Sequence, residues 1–375
     1  MPFRLYVFGS NGEGQLSIPA EDIVNTPTRA DSWPSEEGQR GIKVVRGGDN
    51  HTLILTDSGK IWGTGDNRKG QLGVHYATRP RLEGFEELRD TVVFCAATCE
   101  SSAYITYPKA LHPDLARTML TTEGASQWGE LGLGSTTNTA DTVEGTTNQQ
   151  SLPHSILDFA AGAWHYIAIL SSGAVYGWGK SRLDQLGPIL STQQRITNPT
   201  HIEESFPFQP IKVVCGKDFT YLASHPSDGH HAILGRDKFG IKSNLPPHIR
   251  NWKDIGATWH AIFVLFHDGS LTAWGKDNMW KLVPEGLPLI ERIAVGSEHV
   301  LALTRDGKMI SWGWGKHGNC GDLTALENEG KIKNDMVSGC WNEIDIPGRI
   351  RYIGAGFCTS FVLAEIEDDV EQQVQ

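Results

Sequence analysis

The residue runs that could carry chemistry are few, and each has a plainer structural reading. Gly65-Asp66-Asn67-Arg68-Lys69-Gly70-Gln71 has the glycines and basic residues of a loop that cradles phosphates. Such a loop needs Lys and then Ser or Thr after its second Gly, to reach the phosphates and Mg²⁺. Here Gln71-Leu72 follows, and the same frame recurs elsewhere in the chain, so the run reads as a turn. Gly129-Glu130-Leu131-Gly132-Leu133-Gly134 lacks the strand–helix context of a dinucleotide site and reads the same way. Cys95 and Cys99 are spaced like metal ligands and would share one face of a strand. Two ligands are too few to hold zinc, so a buried thiol pair is expected. His225, His230 and His231 surround Pro226-Ser227-Asp228-Gly229, the composition of an exposed loop. Neither a Gly-x-Ser-x-Gly elbow nor a His-Glu-x-x-His helix occurs. The chain is expected to be no enzyme and to hold no cofactor or metal.

Composition narrows the classes further. Of 375 residues, 33 are Lys or Arg and 44 are Asp or Glu, a net charge of −11. With 39% hydrophobic and 21% charged residues the chain is globular rather than disordered. The acidic surplus argues against wholesale binding to nucleic acid or an anionic membrane, which needs excess Lys and Arg. No apolar run approaches the roughly 18 residues of a spanning helix. Met1-Pro2-Phe3-Arg4-Leu5-Tyr6 enters a strand pattern at once and has no signal-peptide character. Six scattered cysteines make no disulfide framework in a chain this long. These features predict a soluble intracellular protein, cytoplasmic with the nucleus as a second compartment.

Such a chain exceeds one ordinary core, so it is either several domains or one repetitive architecture. Its 42 Gly and 12 Trp favour repeats. Gly48-Asp49-Asn50-His51, Gly162-Ala163-Trp164-His165 and Gly296-Ser297-Glu298-His299 each open an apolar run that turns at Gly59, Gly173 or Gly307. Degenerate copies lie at Thr98 to Ser101, Gly216 to Phe219, Gly256 to His260 and Gly356 to Thr359. Each leads to an aromatic-Gly pair and a Gly-Gln-Leu type turn, as in Phe8-Gly9-Ser10-Asn11-Gly12-Glu13-Gly14-Gln15-Leu16. Lead glycines at 9, 65, 124, 179, 235, 275 and 313 give steps of 56, 59, 55, 56, 40 and 38 residues. Hairpins at that period mean a propeller or an array. The chain opens on the second half of a repeat and closes on the first half of one, which completes a seventh unit. An all-β, seven-bladed propeller over residues 1–364 follows, with 365–375 expected to be a frayed acidic tail. Tyr107–Thr121 (a short helix through Leu111, Leu115, Met119 and Leu120), Ser135–Gln150, Pro188–Pro210 and Asp322–Gly348 are expected to be excursions from the blades.

Binding residues are sought where the repeats differ. Repetition of His51, His165 and His299 favours a structural role, although their loops would share one rim. Trp164 beside His165 and Trp259 beside His260 replace the polar residues of other copies, and Trp314 and His317 depart from the repeat in the last unit. An exposed Trp is poorly tolerated unless it is packed or bound, and Trp leads binding hot spots, contributing about 2 kcal/mol or more. The expected partner-binding set is Trp164, His165, Trp259, His260, Glu298, His299, Trp314 and His317. Trp62, Trp178, Trp274 and Trp312 are expected in the blade cores.

The Gly-x-x-His and Trp-Gly-x-Asn-x-x-Gly-Gln-Leu-Gly type units resemble the regulator of chromosome condensation repeat over the whole chain. The last unit, Trp312-Gly313-Trp314-Gly315-Lys316-His317-Gly318-Asn319-Cys320-Gly321, resembles a fungal branch of that family. Members of that branch pair with a small zinc-ribbon (CSL-type) protein of the diphthamide pathway. The resemblance implies a non-enzymatic scaffold, monomeric alone and heterodimeric with that partner. It would support diphthamide formation and Elongator-dependent modification of tRNA wobble uridines, and any zinc or iron would sit in the partner. Other members of the family exchange nucleotide on the Ran GTPase and bind nucleosomes. That alternative is weakened by the acidic charge and by the absence of a basic N-terminal run.

Overall fold

A computed structural model describes residues 1–19, 21–107, 118–134 and 143–367. These form seven antiparallel sheets, six made from sequence-adjacent strands and the seventh from both ends of the chain, arranged as the blades of a β-propeller. Blade 1 runs Ile42–Gly47, His51–Thr56, Ile61–Asp66 and Arg81–Arg89 from the centre outward. Blades 2 and 3 repeat that order from Val92–Ala97 to Val143–Leu152 and from Ile156–Ala161 to Arg195–His201. Blade 4 (Lys212–Cys215, Phe219–Ala223, His231–Gly235) and blade 5 (Trp252–Ala257, Ala261–Phe266, Leu271–Gly275) have three strands each. Blade 6 begins at Ile290–Val295 and ends with Met336–Ile344 beside the short Ile332–Lys333. Blade 7 joins Arg349–Ala355 and Thr359–Glu365 to Phe3–Ser10 and Ile23–Arg29. Phe3 pairs with Glu365 and Gly9 with Thr359, so the ring closes inside one sheet, as expected. Innermost strands of neighbouring blades touch all the way round. The whole chain therefore hides its inner edges.

The second strand of each blade lies between two neighbouring blades and is buried on both faces. His51–Thr56, His165–Leu170 and His299–Thr304 are buried at every residue, which is why they read as unbroken apolar runs. Trp178 and Trp312 are fully buried and Trp274 nearly so, while Trp62 is half-buried. Trp178 donates from Nε1 to the Glu130 carbonyl (2.8 Å), tying blade 3 to the turn of blade 2. The third-strand glycine opposite the first residue of the second strand adopts φ near +100°, for example 99° at Gly65 and 105° at Gly313. A Cβ there would strike the Asn50 or Glu298 carbonyl, so only Gly admits the bulge at this point. In the Gly-Gln-Leu turns, Asn11 and Asn67 accept the Leu16 and Leu72 N–H (3.0 and 2.9 Å). Gln15 and Gln71 accept the N–H two residues back, at 2.9 and 3.0 Å. The supposed phosphate loop is such a turn.

Several expected excursions are instead outer strands. Val143–Leu152, Arg195–His201 and Met336–Ile344 fill the fourth position of blades 2, 3 and 6. One face of each meets solvent, so they carry Thr, Asn, Gln and Glu in place of apolar alternation. Met119 and Leu120 lie in strand Thr118–Ser126, not in a helix; Leu111 and Leu115 fall outside the described residues. The tail begins later than expected. Glu365 is in the sheet, and Ile366 is buried with its N–H on the Pro2 carbonyl (2.9 Å).

Candidate functional site

The Gly-x-x-His loops and the Gly-Gln-Leu turns share one rim, because the first joins strands one and two and the second follows strand three. The repeat's own histidines are withdrawn from that surface. His51, His165 and His299 are at most 1% exposed. Each donates or accepts through Nε2 with a hydroxyl of the next blade: Ser102 (3.1 Å), Thr220 (3.1 Å) and Ser360 (3.2 Å). Burial pushes His51 and His165 down to about 4 and His299 to about 3, so all three are neutral fasteners between blades. The expectation that His165 and His299 contact a partner is corrected accordingly: no atom of theirs is within reach.

The paired glycine now has a cause. A Cβ at Gly48, Gly162 or Gly296 would land on the imidazole of the same loop. Blades 2 and 5 lack both the ring and the glycine, whereas blade 7 keeps Gly356 against the Thr359 side chain. Thr98 pairs with Ser101, and Thr258 with Ala261, whose N–H it accepts at 2.9 Å. This fixes the register of blade 5 as Thr258-Trp259-His260-Ala261, not Gly256 to His260. His260 therefore stands at the Asn50 position rather than the fastener position. Trp259 stands at the Asp49 position, one residue earlier than Trp164 in its own loop.

That earlier position forms a girdle around the mouth of the central channel. Lys217 donates its N–H to the Trp259 carbonyl (2.9 Å), Trp259 to Ser297 (2.8 Å) and Ser297 to Phe357 (2.9 Å). Asp49 and Cys99 continue the pattern to Cys99 and Ala163. On this frame the Trp259 ring meets the edge of Phe357 at 5.5 Å, and Lys217 Nζ lies 4.7 Å from the Trp259 centroid. Trp259 is half-buried, and its Nε1 is buried without a partner. Next to it, His260 packs on Phe239 (5.2 Å), which Lys238 and Lys276 also flank at 5.1 and 5.5 Å. Lys276 reaches Glu298 at 3.8 Å. His260 lies 3.9 Å from Glu298, but burial and the nearby lysines hold it down at about 4, so this is no ion pair at neutral pH. Burial raises the Glu298 carboxyl. Further round, Trp128 lies against Lys180 (5.7 Å) and Arg182 (5.0 Å), and Lys180 bridges to Asp218 of the next blade (2.7 Å).

Of the expected set, the fold brings Trp259, His260 and Glu298 into one chain of contacts. Trp314 and His317 form an edge-on pair at 5.0 Å on blade 6, joined to that chain through the Trp314 N–H on the Glu298 carbonyl (2.8 Å). Trp164 is half-buried on blade 3, two blades from Trp259. Sequence reasoning missed Phe357, Phe239, Trp128 and the lysines between them. The register of the repeat would have exposed Phe357, which is the Trp259 position of blade 7. Cys95 and Cys99 are buried, and burial pushes Cys95 up to about 12. His231 is held between Tyr221 Oη (2.8 Å) and the Pro246 carbonyl (2.7 Å), while His225 bonds Ser227. Among the described residues, no three His, Cys, Asp or Glu side chains group as metal ligands.

A ring of seven such blades with glycine–histidine fasteners defines a class. Models of the regulator of chromosome condensation (RCC1) repeat match residues 42–71, 156–185 and 290–319, and a second one matches 172–223. The chain carries RCC1 repeats, and its fold is a seven-bladed propeller of that type. It is similar to an RCC1 repeat-containing protein of Schizosaccharomyces pombe, with 28% identity over 373 residues, covering 96% of this chain and 99% of that one. A secretion-regulating guanine nucleotide exchange factor of Mus musculus is 24% identical over 427 residues, covering 96% and 84%. The crystal structure of Prp20p from Saccharomyces cerevisiae superposes with a TM-score of 0.75 at 19% identity, covering 98% and 93%, a likeness of fold alone. The family supports a role as binding scaffold or exchange factor.

Proposed function

We propose that this propeller is a non-enzymatic scaffold that captures a protein partner on the Gly-x-x-His rim, around Trp259. The observation that carries this is the half-buried Trp259 itself. Its indole lies edge-on to Phe357 and under Lys217, and its N–H has no acceptor. A half-buried aromatic ring flanked by a second ring and a cation is what a hot spot offers a partner. His260, Glu298 and Lys276 would supply the polar border, with Trp314, His317 and Trp164 as outlying contacts.

The partner we propose is a small zinc-ribbon (CSL-type) protein of the diphthamide pathway. It follows from the likeness of the last unit to the fungal α-tubulin suppressor (killer-toxin-insensitivity) proteins. The complex would serve Elongator-dependent wobble-uridine modification and diphthamide formation, in the cytoplasm and nucleus, with the metal in the partner. Calorimetric titration with such a protein should give tight one-to-one binding that weakens at least tenfold in Trp259→Ala. Absence of binding would sink this reading.

A second reading has one observation in its favour, the likeness to a relative named as a guanine nucleotide exchange factor. Release of labelled nucleotide from a Ran-type GTPase, accelerated by the purified chain, would decide for exchange.

A further inference from the structure

The inner strands enclose a central channel of about 380 Å³, within the range of small-molecule sites. Side chains reach it at two levels, one residue per blade at each. At the lower level, opposite the fifth residue of each second strand, Asp158, Lys212, Asp254 and Arg292 stand beside one another. They balance, two acids against two cations, with Lys212 Nζ 3.6 Å from Asp158.

The upper level is different. Blade 1 carries Arg46 there, and the other six blades carry Gly, Ala or Val. Among the described residues the Arg46 guanidinium pairs with no carboxylate, and it donates only to the Val45 carbonyl at a long 3.4 Å. Lys43 adds a cation at the lower mouth, with Nζ on the Val93 carbonyl (2.8 Å). The tally is four cations, Lys43, Arg46, Lys212 and Arg292, against Asp158 and Asp254. This surplus of two lies inside a chain whose net charge is −11. Tyr352 Oη accepts the Val45 N–H (3.0 Å), which leaves its own proton to donate next to Arg46. A half-buried guanidinium has five donors and loses water on entering a narrow passage, so a compensating anion is favoured there.

We propose that the channel binds a small multivalent oxyanion of the phosphate class, held by the Arg46 guanidinium and the Tyr352 hydroxyl, with Lys43, Lys212 and Arg292 adding attraction. The channel's upper mouth is bordered by Trp259, Ser297 and Phe357, so the anion site lies beneath the proposed partner surface. Its volume admits more than one phosphate group, so tripolyphosphate should bind better than inorganic phosphate.

The test titrates both into the full chain by calorimetry at fixed ionic strength, with chloride as control, and repeats each with Arg46→Met and Arg46→Lys. Saturable one-to-one binding of tripolyphosphate is expected, with at least tenfold loss in Arg46→Met and partial retention in Arg46→Lys. Melting curves with and without tripolyphosphate keep the test decisive if a variant folds poorly, since the wild-type midpoint should rise with the ligand. Wild-type protein indifferent to both anions, or binding unchanged in Arg46→Met, overturns the proposal. A free Arg46→Met protein that melts higher than wild type, with neither responding to oxyanion, would show that Arg46 only fills the channel.

Discussion

Blades 3 and 5 build the same loop from opposite parts. In blade 3, Gly162 makes room for a buried His165 that grips Thr220 of the next blade. In blade 5, Thr258 bonds back to Ala261, no ring is buried, and Trp259 and His260 turn to the rim. One loop spends its large side chain on cohesion, the other on surface. The contrast separates positions that hold the ring from positions free to recognise something, although both lie within four residues.

Substitutions on either side would break or sharpen that contrast. His299→Ala should cost about 3 kcal/mol, through lost volume and the lost Nε2–Ser360 bond between blades, against about 1 kcal/mol for Thr258→Ala. Gly296→Ala should be severe alone and milder beside His299→Ala, a coupling above about 1 kcal/mol by denaturant melts. The sign with pH follows from burial. His299 titrates lower when folded than unfolded, so wild-type stability falls as pH drops from about 6.5 toward 4, and the variant's slope should be one proton shallower.

Glu130 comes next. It takes the place of the turn glutamine in blade 2, accepts the Trp128 N–H at 2.7 Å, and is raised to about 8 by burial. A raised carboxyl destabilises the fold as pH climbs from about 4.5 through about 8. Glu130→Gln should therefore gain about 2–3 kcal/mol near pH 9 and little near pH 5, by urea melts at both. Trp259→Ala should weaken partner binding by about 2 kcal/mol while lowering the melting temperature less than His299→Ala does. Arg182→Ala should lower affinity only two- to fivefold, and the difference should shrink with added salt, because Arg182 is a border cation over Trp128.

Much of this was legible in the sequence, for reasons the structure supplies. Gly48, Gly162 and Gly296 recur because a ring sits where their Cβ would be. Gly65 and Gly313 recur because a carbonyl does. Such steric demands leave a fixed letter at a fixed place. Val143–Leu152, with the sequence VEGTTNQQSL, had no such demand on it and looked like a loop. The register of blade 5 was misread because Thr258–Ala261 is a different solution to the same geometry. Trp259 was found as an oddity, but its neighbour Phe357 lies 98 residues on and meets it only when blades 5 and 7 face the same mouth. Arg46 looked ordinary because its distinction lies in what six other blades lack.

The closure in blade 7 sets the order in which the chain can finish folding. Leu5, Tyr6, Val7 and Phe8 are buried, and their strand is sandwiched between Ile23–Arg29 and Thr359–Glu365. On a ribosome adding about 5–20 residues per second, that first strand waits on the order of 20–70 s for its partner. For that interval an apolar edge made before the rest of the propeller stays open to chaperones and to other nascent chains. The last hairpin acts as a latch, and a lesion in Thr359–Glu365 should be felt first as poor yield from the cell and only afterwards as a lower melting point.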